Sequence, residues 1–443
     1  MASPAITVDN IASAAATEPF VRGPGFIERV VASLMIFVFS FSLPTEWFVR
    51  VGNSSAGAVQ GGSPLTTLVF LSFFGVVIIS MNGNWHILLA ASAREPLLSA
   101  LIAVAFASSL WSVNLIETFT AGVVLIITLA VGLYFSIRFR LEETLWLAAL
   151  ALAAGVVFNY IFIFVFQQFG LDTINVGTDG GSKWSGVFVT KNELGRIAVL
   201  SAMIFAFVAR VRRSYFVWPL WTILATIQVI ASDSATSLGA LFGLVALVAV
   251  FFGFRGRKTL YGATALAMGT VFSTLVLLAA TNLAAATGLL GKSSNFTGRL
   301  PLWINSFRYG IGDRPWFGFG WLAFWPEVQS FDVRIRANFE VPHAHNAFID
   351  TWLYVGPIGA LLLVGIYARG LLWGARNIRA VPSILGLVPI MIISYGLIFS
   401  LTEAGVVRRD VSFVLFVVAI VTAARNKGAR VPFGGRAASS QSE

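Results

Sequence analysis

The composition of this chain is that of a protein built into a membrane. Of its 443 residues, 57% are hydrophobic and only 11% are charged, whereas a soluble domain carries roughly 25% charged residues. The net charge of +10 does not indicate nucleic-acid binding, because lysine and arginine collect on the cytoplasmic side of membrane proteins. The absence of cysteine excludes disulfides, iron–sulfur clusters and thiolate zinc sites.

Twelve apolar runs have about the length that a helix needs to cross a bilayer, roughly 17–25 residues. Backbone polar groups cannot stay unpaired in lipid, so we predict an all-α integral membrane protein with about 12 transmembrane helices. The third run is short, and residues 86–93 are apolar but too short to span, which is typical of an interfacial piece. The runs lie near residues 27–43, 65–81, 97–112, 116–137, 143–168, 194–210, 214–231, 235–254, 259–281, 346–373, 383–401 and 411–424.

The distribution of basic residues orients the chain. With a cytoplasmic N-terminus, 18 of the 30 lysines and arginines fall on the cytoplasmic side, and 6 of the other 12 lie in one long loop. Long loops report orientation poorly, so both termini are predicted to be cytoplasmic. The predicted order is a disordered tail at 1–26, nine spans in 27–281, a periplasmic loop with a short amphipathic helix at 282–345, three spans in 346–424 and a tail at 425–443.

Two cations lie at the start of the sixth predicted span, in the stretch T-K-N-E-L-G-R. Lys191 and Arg196 are five residues apart and need not share a helix face. Arg196 would lie about one turn into the membrane, where an unpaired cation is costly and usually functional. The alternative is that both side chains extend to the outer interface. The sequence leaves both interpretations open.

The long loop contains a candidate amphipathic helix and a cluster of aromatic residues. Trp303 and Phe307 are four residues apart and would share one face of a helix that Arg299 and Arg308 border. Residues 316–325 then contain six aromatic residues. Such a cluster is typical of an interfacial aromatic belt, and a surface on which sugar rings stack is the alternative.

The loop ends in the sequence P-H-A-H-N, directly before the tenth predicted span. Three roles are open for its second histidine, His345: metal ligand, general base or, together with Asn346, helix cap. A catalytic zinc site usually needs a third protein ligand, and the remaining histidine, His86, is predicted on the opposite side of the membrane. Asp350 or Glu340 would have to complete such a site, so we expect no metal.

Several cations are predicted on the same outer side of the membrane as His345, and they favour the role of general base for this residue. Lys191, Arg196 and Arg299 have few acidic residues beside them, and arginine holds phosphate groups bidentately. A base beside a polyanion pocket fits the transfer of a group from a phosphate leaving group to a hydroxyl. This chemistry needs no cofactor.

Four stretches carry a resemblance to a known family. They are S-G-V-F-V-T-K-N-E-L-G-R at 185–196, T-G-R-L-P-L-W at 297–303, P-W-F-G-F-G at 315–320, and H-N followed by nine residues and G-P-I-G at 345–359. In these stretches the chain resembles the O-antigen ligase/Wzy-type polymerase family of bacterial membrane glycosyltransferases, which includes exopolysaccharide polymerases. The resemblance implies a GT-C-like helical fold with its active site at the periplasmic face of the inner membrane.

The resemblance also implies an activity and roles for individual residues. The activity is metal-independent transfer of glycan from undecaprenyl pyrophosphate to an acceptor hydroxyl, with inversion. His345 is similar to the family's base or acceptor-orienting histidine, and Arg299 to the loop arginine that binds pyrophosphate. Lys191 and Arg196 lie where the family places another essential cation. The predicted catalytic residues are His345, Arg299 and Arg196, and the predicted substrate-binding residues are Lys191, His343, Asn346 and Arg308.

Two departures from the family pattern refine the expectation. Many relatives carry an arginine after the seventh span, where this chain has S-D-S-A-T-S at 232–237, so that residue's role is not carried over. In the ligase branch threonines commonly follow the glycines of the fourth stretch, where this chain continues Ala360-Leu361. We therefore predict a polymerase that extends lipid-linked repeat units. A ligase that transfers glycan to lipid A-core is the alternative.

A transporter or flippase is a third possibility from a different class. Transporters place charged or broken-helix sites near the middle of the bilayer, whereas the predicted spans of this chain are nearly free of charge. For the polymerase, the implied partners are the lipid-linked glycan, the bilayer, and the flippase and chain-length regulator of the same pathway.

Overall fold

A computed structural model describes residues 23–41, 64–81, 83–172, 183–253, 299–337, 342–381 and 383–425. The predicted ninth span at 259–281, residues 1–22 and 426–443 of the predicted tails, and Glu340 lie outside the described residues. Within the described ranges the protein is almost entirely helical. Its two short strands, β1 (Leu171–Asp172) and β2 (Lys183–Trp184), pair antiparallel.

The helices are numbered in chain order. They are α1 (Phe26–Phe41), α2 (Pro64–Met81), α3 (Trp85–Arg94), α4 (Pro96–Ala107), α5 (Leu115–Arg138), α6 (Leu141–Phe164), α7 (Gln167–Gly170), α8 (Lys191–Val211), α9 (Val217–Ala231), α10 (Ala235–Gly253), α11 (Arg299–Asn305), α12 (Phe331–Ala337), α13 (Ala347–Ala380), α14 (Ile384–Thr402) and α15 (Val411–Arg425). Helix α11 continues directly into a π-helical turn, Ser306–Ile311.

Eleven of the twelve predicted apolar runs coincide with helices in the described part of the chain. Helix α3 corresponds to the predicted interfacial piece, and its axis is bent by 107° from that of Thr67–Met81. By length and apolarity, five of the described helices (α5, α6, α8, α13 and α14) can cross a membrane, or six if the bent pair counts as one span. The structure is thus that of an all-α membrane protein, while the total of about twelve spans stays a prediction.

The centre of the bundle is formed by two helices, α8 and α15, that are buried on almost every side. Every residue of α15 from Val411 to Val421 is buried, because α5, α13 and α14 pack around that helix. Helix α8 is buried along most of its length and packs on α9 and α6. One buried ion pair connects these two central helices, between Arg196 on α8 and Asp410 directly before α15.

A break in α13 joins two of the motifs found in the sequence. Pro357 has no N–H to donate to the carbonyl of Leu353, and Gly356 takes a φ of +74°. The loop after α11 supplies the missing donors: the N–H of Phe319 bonds to Leu353 O at 2.8 Å and that of Gly320 to Tyr354 O at 2.9 Å. The P-W-F-G-F-G stretch therefore completes the hydrogen bonds that the G-P-I-G stretch leaves open.

Glycine is required where the loop crosses this break. A Cβ at Gly356 would overlap the carbonyl oxygen of Trp316. Gly318 has a φ of +65°, and a Cβ there would lie 2.5 Å from Leu353 O. Backbone against backbone contact of this kind fixes the loop 316–320 on the first half of α13. The loop therefore lies next to the turn at residues 342–346, which contains His343 and His345 and which we call the histidine corner.

Candidate active site

The histidine corner is a tight turn that ends in a helix cap. The Oδ1 atom of Asn346 accepts the N–H groups of Phe348 at 3.0 Å and Ile349 at 3.3 Å, which confirms the predicted cap of α13. One residue earlier, His345 has a φ of +51°. This left-handed conformation costs a residue with a side chain roughly 1–2 kcal/mol, so the surroundings must hold the turn in place.

Both polar backbone atoms of Ala344, in the middle of that turn, are bonded to other elements. Its carbonyl oxygen accepts the indole N–H of Trp303 from α11 at 2.8 Å. Its N–H donates to Asp350 Oδ1 at 2.9 Å, and the same oxygen accepts the indole N–H of Trp325 at 2.8 Å. The loop helix, the aromatic loop and the first turn of α13 thus converge on the backbone beside His345.

The side chains of His345, Glu403 and Arg299 form a bonded row. His345 Nδ1 lies 2.8 Å from Glu403 Oε2, and the other carboxylate oxygen, Oε1, accepts from Arg299 Nη2 at 2.8 Å. The three side chains are only 9–12% exposed. They come from the loop before α13, the end of α14 and the start of α11, so the row exists only in the folded bundle.

Glu403 is held in its charged form. Burial alone would raise its pKa, but the hydrogen bond from His345 and the positive charges of Arg299 and Arg196 outweigh burial and lower the pKa below its ordinary value of 4.5. A carboxylate at Nδ1 favours the imidazole tautomer that carries its proton on that nitrogen. His345 Nε2 then becomes the basic nitrogen of the ring, as in other base–carboxylate arrangements.

His343 stabilises the turn by a hydrogen bond to its backbone. Its Nδ1 accepts the backbone N–H of His345 at 3.1 Å, and the two ring centroids are 4.2 Å apart. Burial, together with the positive charges of Arg408 and Arg299, brings the pKa of His343 well below its usual range. His343 is therefore a neutral acceptor that stabilises the conformation of its neighbour.

Arg196 lies in the buried interior of the bundle. Its Nη1 bonds to Asp410 Oδ2 at 2.7 Å and to Ser412 Oγ at 3.0 Å, and its carbonyl oxygen accepts the hydroxyl of Tyr395. The cation predicted one turn into the membrane is therefore paired with a carboxylate. Arg196 reaches the row through its charge, which contributes to the pKa shifts of Glu403 and His343.

Lys191 lies at the N-terminus of α8 in a second polar cluster. Its backbone N–H bonds to Asp172 Oδ2 at 3.1 Å, and its ammonium group lies 3.9 Å from Asp233 Oδ2. Lys183 also pairs with Asp233, at 2.8 Å. Asp233 belongs to the S-D-S-A-T-S segment, whose Thr236 accepts from Arg299 Nη1 at 3.5 Å. The two lysines are thus connected to Arg299 through one short segment.

Arg308 is placed away from this row. It lies in the π-helical turn, is exposed, and stands over the ring of Tyr309 at 5.6 Å. Among the described residues, Arg308 forms no hydrogen bond or ion pair with His345, Glu403 or Arg299. Its predicted role in substrate binding stays a prediction.

The aromatic cluster at 316–325 is mainly a packing element. Four of its six aromatic residues, Phe319, Trp321, Phe324 and Trp325, are at most 4% exposed. Only Trp316 and Phe317 are exposed, at 70% and 64%. A belt or a sugar-stacking surface of six rings is therefore wrong, because most of the rings fill the space between the loop and α13.

The histidine corner could also hold a metal ion by distance alone. His343, His345 and Glu403 offer ligand atoms within 4.8 Å of one another. In the structure, however, both oxygens of Glu403 are bonded, one of them to the guanidinium of Arg299, and His343 Nδ1 accepts a backbone N–H. A cation would have to displace these bonds beside an existing positive charge, so the arrangement fits a paired base better than a metal site.

Glu403 is the residue that sequence reasoning left without a role. It lies 58 positions after His345, and no local spacing connects the two. The available signal was a single acid directly after the long apolar run of α14, a position where ionisable side chains are often functional. The sequence suggests Asp350 only as a metal ligand, and the structure shows it bonded to the backbone of the turn.

Fold and site together define a helical membrane protein with a buried histidine–carboxylate–arginine row at the end of its helices. Residues 220–364 match the family model described as O-antigen ligase (Wzy_C). The match confirms the predicted resemblance to the O-antigen ligase/Wzy-type family, whose members are glycosyltransferase-like enzymes. It includes Arg299, Arg308 and His345, whereas Lys191, Arg196 and Glu403 lie outside it. Comparison with curated proteins gives no significant match.

Proposed function

We propose that this protein is a polymerase of a cell-surface polysaccharide, an exopolysaccharide or an O-antigen. It would transfer glycan from undecaprenyl pyrophosphate to the hydroxyl of an acceptor sugar. The observation that carries the proposal is the bonded row His345–Glu403–Arg299. A base and a phosphate-binding cation, joined through one carboxylate, are the two groups that such a transfer requires.

The base acts on the acceptor. As the acceptor oxygen forms its bond to the anomeric carbon of the donor sugar, its proton moves to His345 Nε2. The resulting imidazolium keeps its Nδ1–H bonded to Glu403, whose negative charge stabilises the positive ring. A positioned general base of this kind contributes on the order of 10²–10⁴ in rate.

Arg299 acts on the leaving group. The bond between the anomeric carbon and the pyrophosphate oxygen breaks, and its electron pair leaves with the lipid pyrophosphate. A guanidinium has five N–H donors, so the bond from Arg299 to Glu403 is compatible with further bonds to phosphate oxygens. Lys183 and Lys191, connected to Arg299 through residues 232–237, would add positive charge for the second phosphate. A single displacement of this form inverts the anomeric centre.

Substitution of the base tests the proposal. We expect His345→Ala and Arg299→Ala each to abolish polymer in a deletion strain, while the protein stays in the membrane and lipid-linked single repeats accumulate. Glu143→Gln is the matched control, because it removes an exposed ion pair with Arg29 far along the chain from the row. Normal polymer from both alanine variants would contradict the proposal.

The same strains distinguish the polymerase from the ligase. A ligase would leave full-length lipid-linked polymer and lose glycan from lipid A-core, whereas a polymerase leaves only single repeats. The continuation Ala360-Leu361 after the fourth motif favours the polymerase. A transporter would show no covalent chain growth in proteoliposomes that contain donor and acceptor without any gradient.

We further propose the orientation and the independence from metal that the sequence predicts. The chain has no cysteine, so a single Asp313→Cys variant reports the side on which the loop lies. Labelling of that cysteine by an impermeant maleimide in cells with a permeabilised outer membrane is expected if the row faces the periplasm of a bacterial inner membrane. Chelation by EDTA should leave polymer formation unchanged, and a loss of activity restored by zinc would overturn metal independence.

A further inference from the structure

Residues 299–337 have a second surface that the proposed chemistry does not use. It consists of the outward faces of α11 with its π-helical turn, of α12, and of the short turn Val328–Ser330 that precedes α12, and we refer to it as the loop face. Its apolar members are Leu300, Ile304, Phe307, Val328, Phe331 and Ile335, which are 40–81% exposed. The opposite sides of the same helices, including Leu302, Ile311 and Val333, are buried in the protein.

The apolar residues of the loop face form two helical stripes. Leu300, Ile304 and Phe307 follow the spacing of one helix face, and Phe331 and Ile335 are likewise four residues apart. The two helices contact each other. An exposed apolar stripe on a helix whose other side is already buried indicates a second apolar environment.

Arginines that pair with no carboxylate among the described residues accompany these stripes. Arg308 follows Phe307 and Arg336 follows Ile335, and both guanidinium groups stand over the ring of Tyr309, at 5.6 and 4.5 Å from its centroid. Neither makes an ion pair in the part of the chain that the structure describes. Arg334 beside them has a buried Nε without a hydrogen-bond partner. Converging cations that have no ion-pair partner in residues 299–337 or the other described ranges point to an anionic ligand.

The position of the loop face places it at the surface of the bilayer. Phe307 packs on Trp352 with ring centroids 6.2 Å apart, and Trp352 is the sixth residue of α13, a candidate span. At 1.5 Å per residue, the stripe lies roughly one to two helical turns from the start of that span. Apolar side chains at this level reach acyl chains, while the neighbouring arginines reach phosphate groups.

We propose that the loop face binds anionic phospholipids, with Phe307, Phe331 and Ile335 at the level of the upper acyl chains and Arg308, Arg334 and Arg336 on head-group phosphates. An acidic polysaccharide would also suit the arginines. It has no use for the apolar side chains that alternate with them, so the lipid is the better fit. Binding would hold α11, and with it Arg299, at a fixed depth beside the histidine corner.

Site-directed fluorescence tests the proposal. The full-length chain has no cysteine, so Ile335→Cys, Phe331→Cys and the polar control Asp313→Cys can each be labelled with one bimane probe. The proteins are placed in nanodiscs of phosphatidylcholine with increasing phosphatidylglycerol and a lipid brominated in its upper acyl chain. We expect quenching at positions 335 and 331, increasing with phosphatidylglycerol, and little quenching at position 313.

Arginine variants of the labelled proteins separate the charge from the apolar contact. Arg336→Gln should shift the phosphatidylglycerol fraction for half-maximal quenching upward by about fivefold, and Arg308→Gln/Arg336→Gln further, since one arginine at an anionic surface is worth about that factor. Arg29→Gln, on an ion pair elsewhere, should leave it unchanged.

Three results would overturn the proposal. One is quenching at both position 335 and position 331 no greater than at position 313. Another is quenching that does not depend on the phosphatidylglycerol fraction in any of the variants. The third is protection of the probes in detergent by alginate, an acidic polysaccharide, with no effect of phosphatidylglycerol, which would make the loop face a glycan surface.

Discussion

Arg196 and Arg299 each pair with a carboxylate in the same part of the molecule, and the two pairs differ in what the carboxylate does with its second oxygen. Asp410 Oδ2 accepts from Arg196, while its Oδ1 accepts the backbone N–H groups of Ser412 and Phe413 at 2.9 and 3.2 Å. Glu403 Oε1 accepts from Arg299, and its Oε2 is hydrogen-bonded to Nδ1 of His345. One carboxylate caps the helix α15, and the other touches a titratable base.

This difference assigns roles that the sequence left open. Arg196 and Asp410 join two central helices, and their polar atoms are consumed by bonds within the protein. A buried pair of this kind loses about 3–5 kcal/mol when one partner is removed. Arg299 and Glu403 join the outer ends of the bundle to a residue that can exchange a proton. We therefore expect the first pair to control folding and the second to control rate.

The largest expected effect is that of Glu403→Gln on rate. A glutamine can accept from Arg299 or from His345 Nδ1 with its one oxygen, but its amide group then faces the other donor. The preferred tautomer of His345 is lost, and we expect turnover with purified lipid-linked donor to fall on the order of 10²–10⁴-fold.

The amount of folded protein in detergent is the control for Glu403→Gln. It should stay close to that of the unsubstituted protein, as should that of Glu143→Gln. If Glu403→Gln retained more than a tenth of the turnover, the carboxylate would not be the partner of the base.

The next effect concerns Arg196, where the prediction is a loss of protein. Arg196→Met leaves Asp410 as an uncompensated buried charge, so the amount of folded membrane protein should fall steeply. Arg196→Met combined with Asp410→Asn removes both charges, and because paired removal is often nearly neutral, folded protein should recover. The measurement is fluorescence-detected gel filtration of a tagged chain.

The double variant also tests whether Arg196 is catalytic, as the sequence predicted. Turnover per folded molecule should remain within about tenfold of the unsubstituted protein, since the charge of Arg196 acts on the row only from a distance. If the double variant folds normally but has no turnover, Arg196 is a catalytic residue.

The sequence predicts contacts between residues that are close together along the chain, and it does not predict contacts between residues that are far apart. Each apolar run satisfies its own backbone within the run, so eleven of the twelve runs match described helices, and the Asn346 cap depends on residues two and three positions away. Glu403 lies 58 residues from His345, and Asp410 lies 214 residues from Arg196. No periodicity connects such pairs, so the row could be predicted only as separate candidates.

The aromatic loop shows a second limit of sequence reasoning. Its six rings look alike in the sequence, yet four are buried because backbone N–H groups at 319 and 320 must reach the carbonyls that the break in α13 exposes. The sequence shows Gly356 and Pro357 and hence a break. It does not show which segment supplies the replacement donors, and that choice decides which rings lie inside.

A smaller effect on rate is expected at Asp350, which positions the turn and touches no substrate. Asp350→Asn keeps an oxygen that can accept the N–H of Ala344 and the indole N–H of Trp325. Asp350→Leu has a side chain of similar size but no hydrogen-bond acceptor. We expect Asp350→Leu to lower kcat about 10- to 100-fold through misplacement of His345, with little change in KM, and Asp350→Asn to restore most of it.

The pair of Asp350 variants separates positioning from general destabilisation. Equal kcat for the two variants, or a change in KM alone, would show that the hydrogen bonds of Asp350 do not hold the base. Equal melting temperatures in detergent are needed for the comparison, because a difference in folding would affect both parameters through the active fraction.

The smallest effect is the dependence of stability on pH that follows from Glu403. Its pKa in the folded protein is lowered below the ordinary value of 4.5, so folding favours the charged form. The stabilisation is fully present above that ordinary value and is lost as the pH falls through the lowered pKa. The melting temperature of the purified protein should therefore decrease below about pH 4.5, and Glu403→Gln should decrease less over the same interval. The double variant Arg196→Met/Asp410→Asn, in which the other pair is removed as a whole, serves as the comparison. If Glu403→Gln and the unsubstituted protein lost stability in parallel, the charge of Glu403 would not be stabilised by the row, and the division of roles between the two pairs would rest on geometry alone.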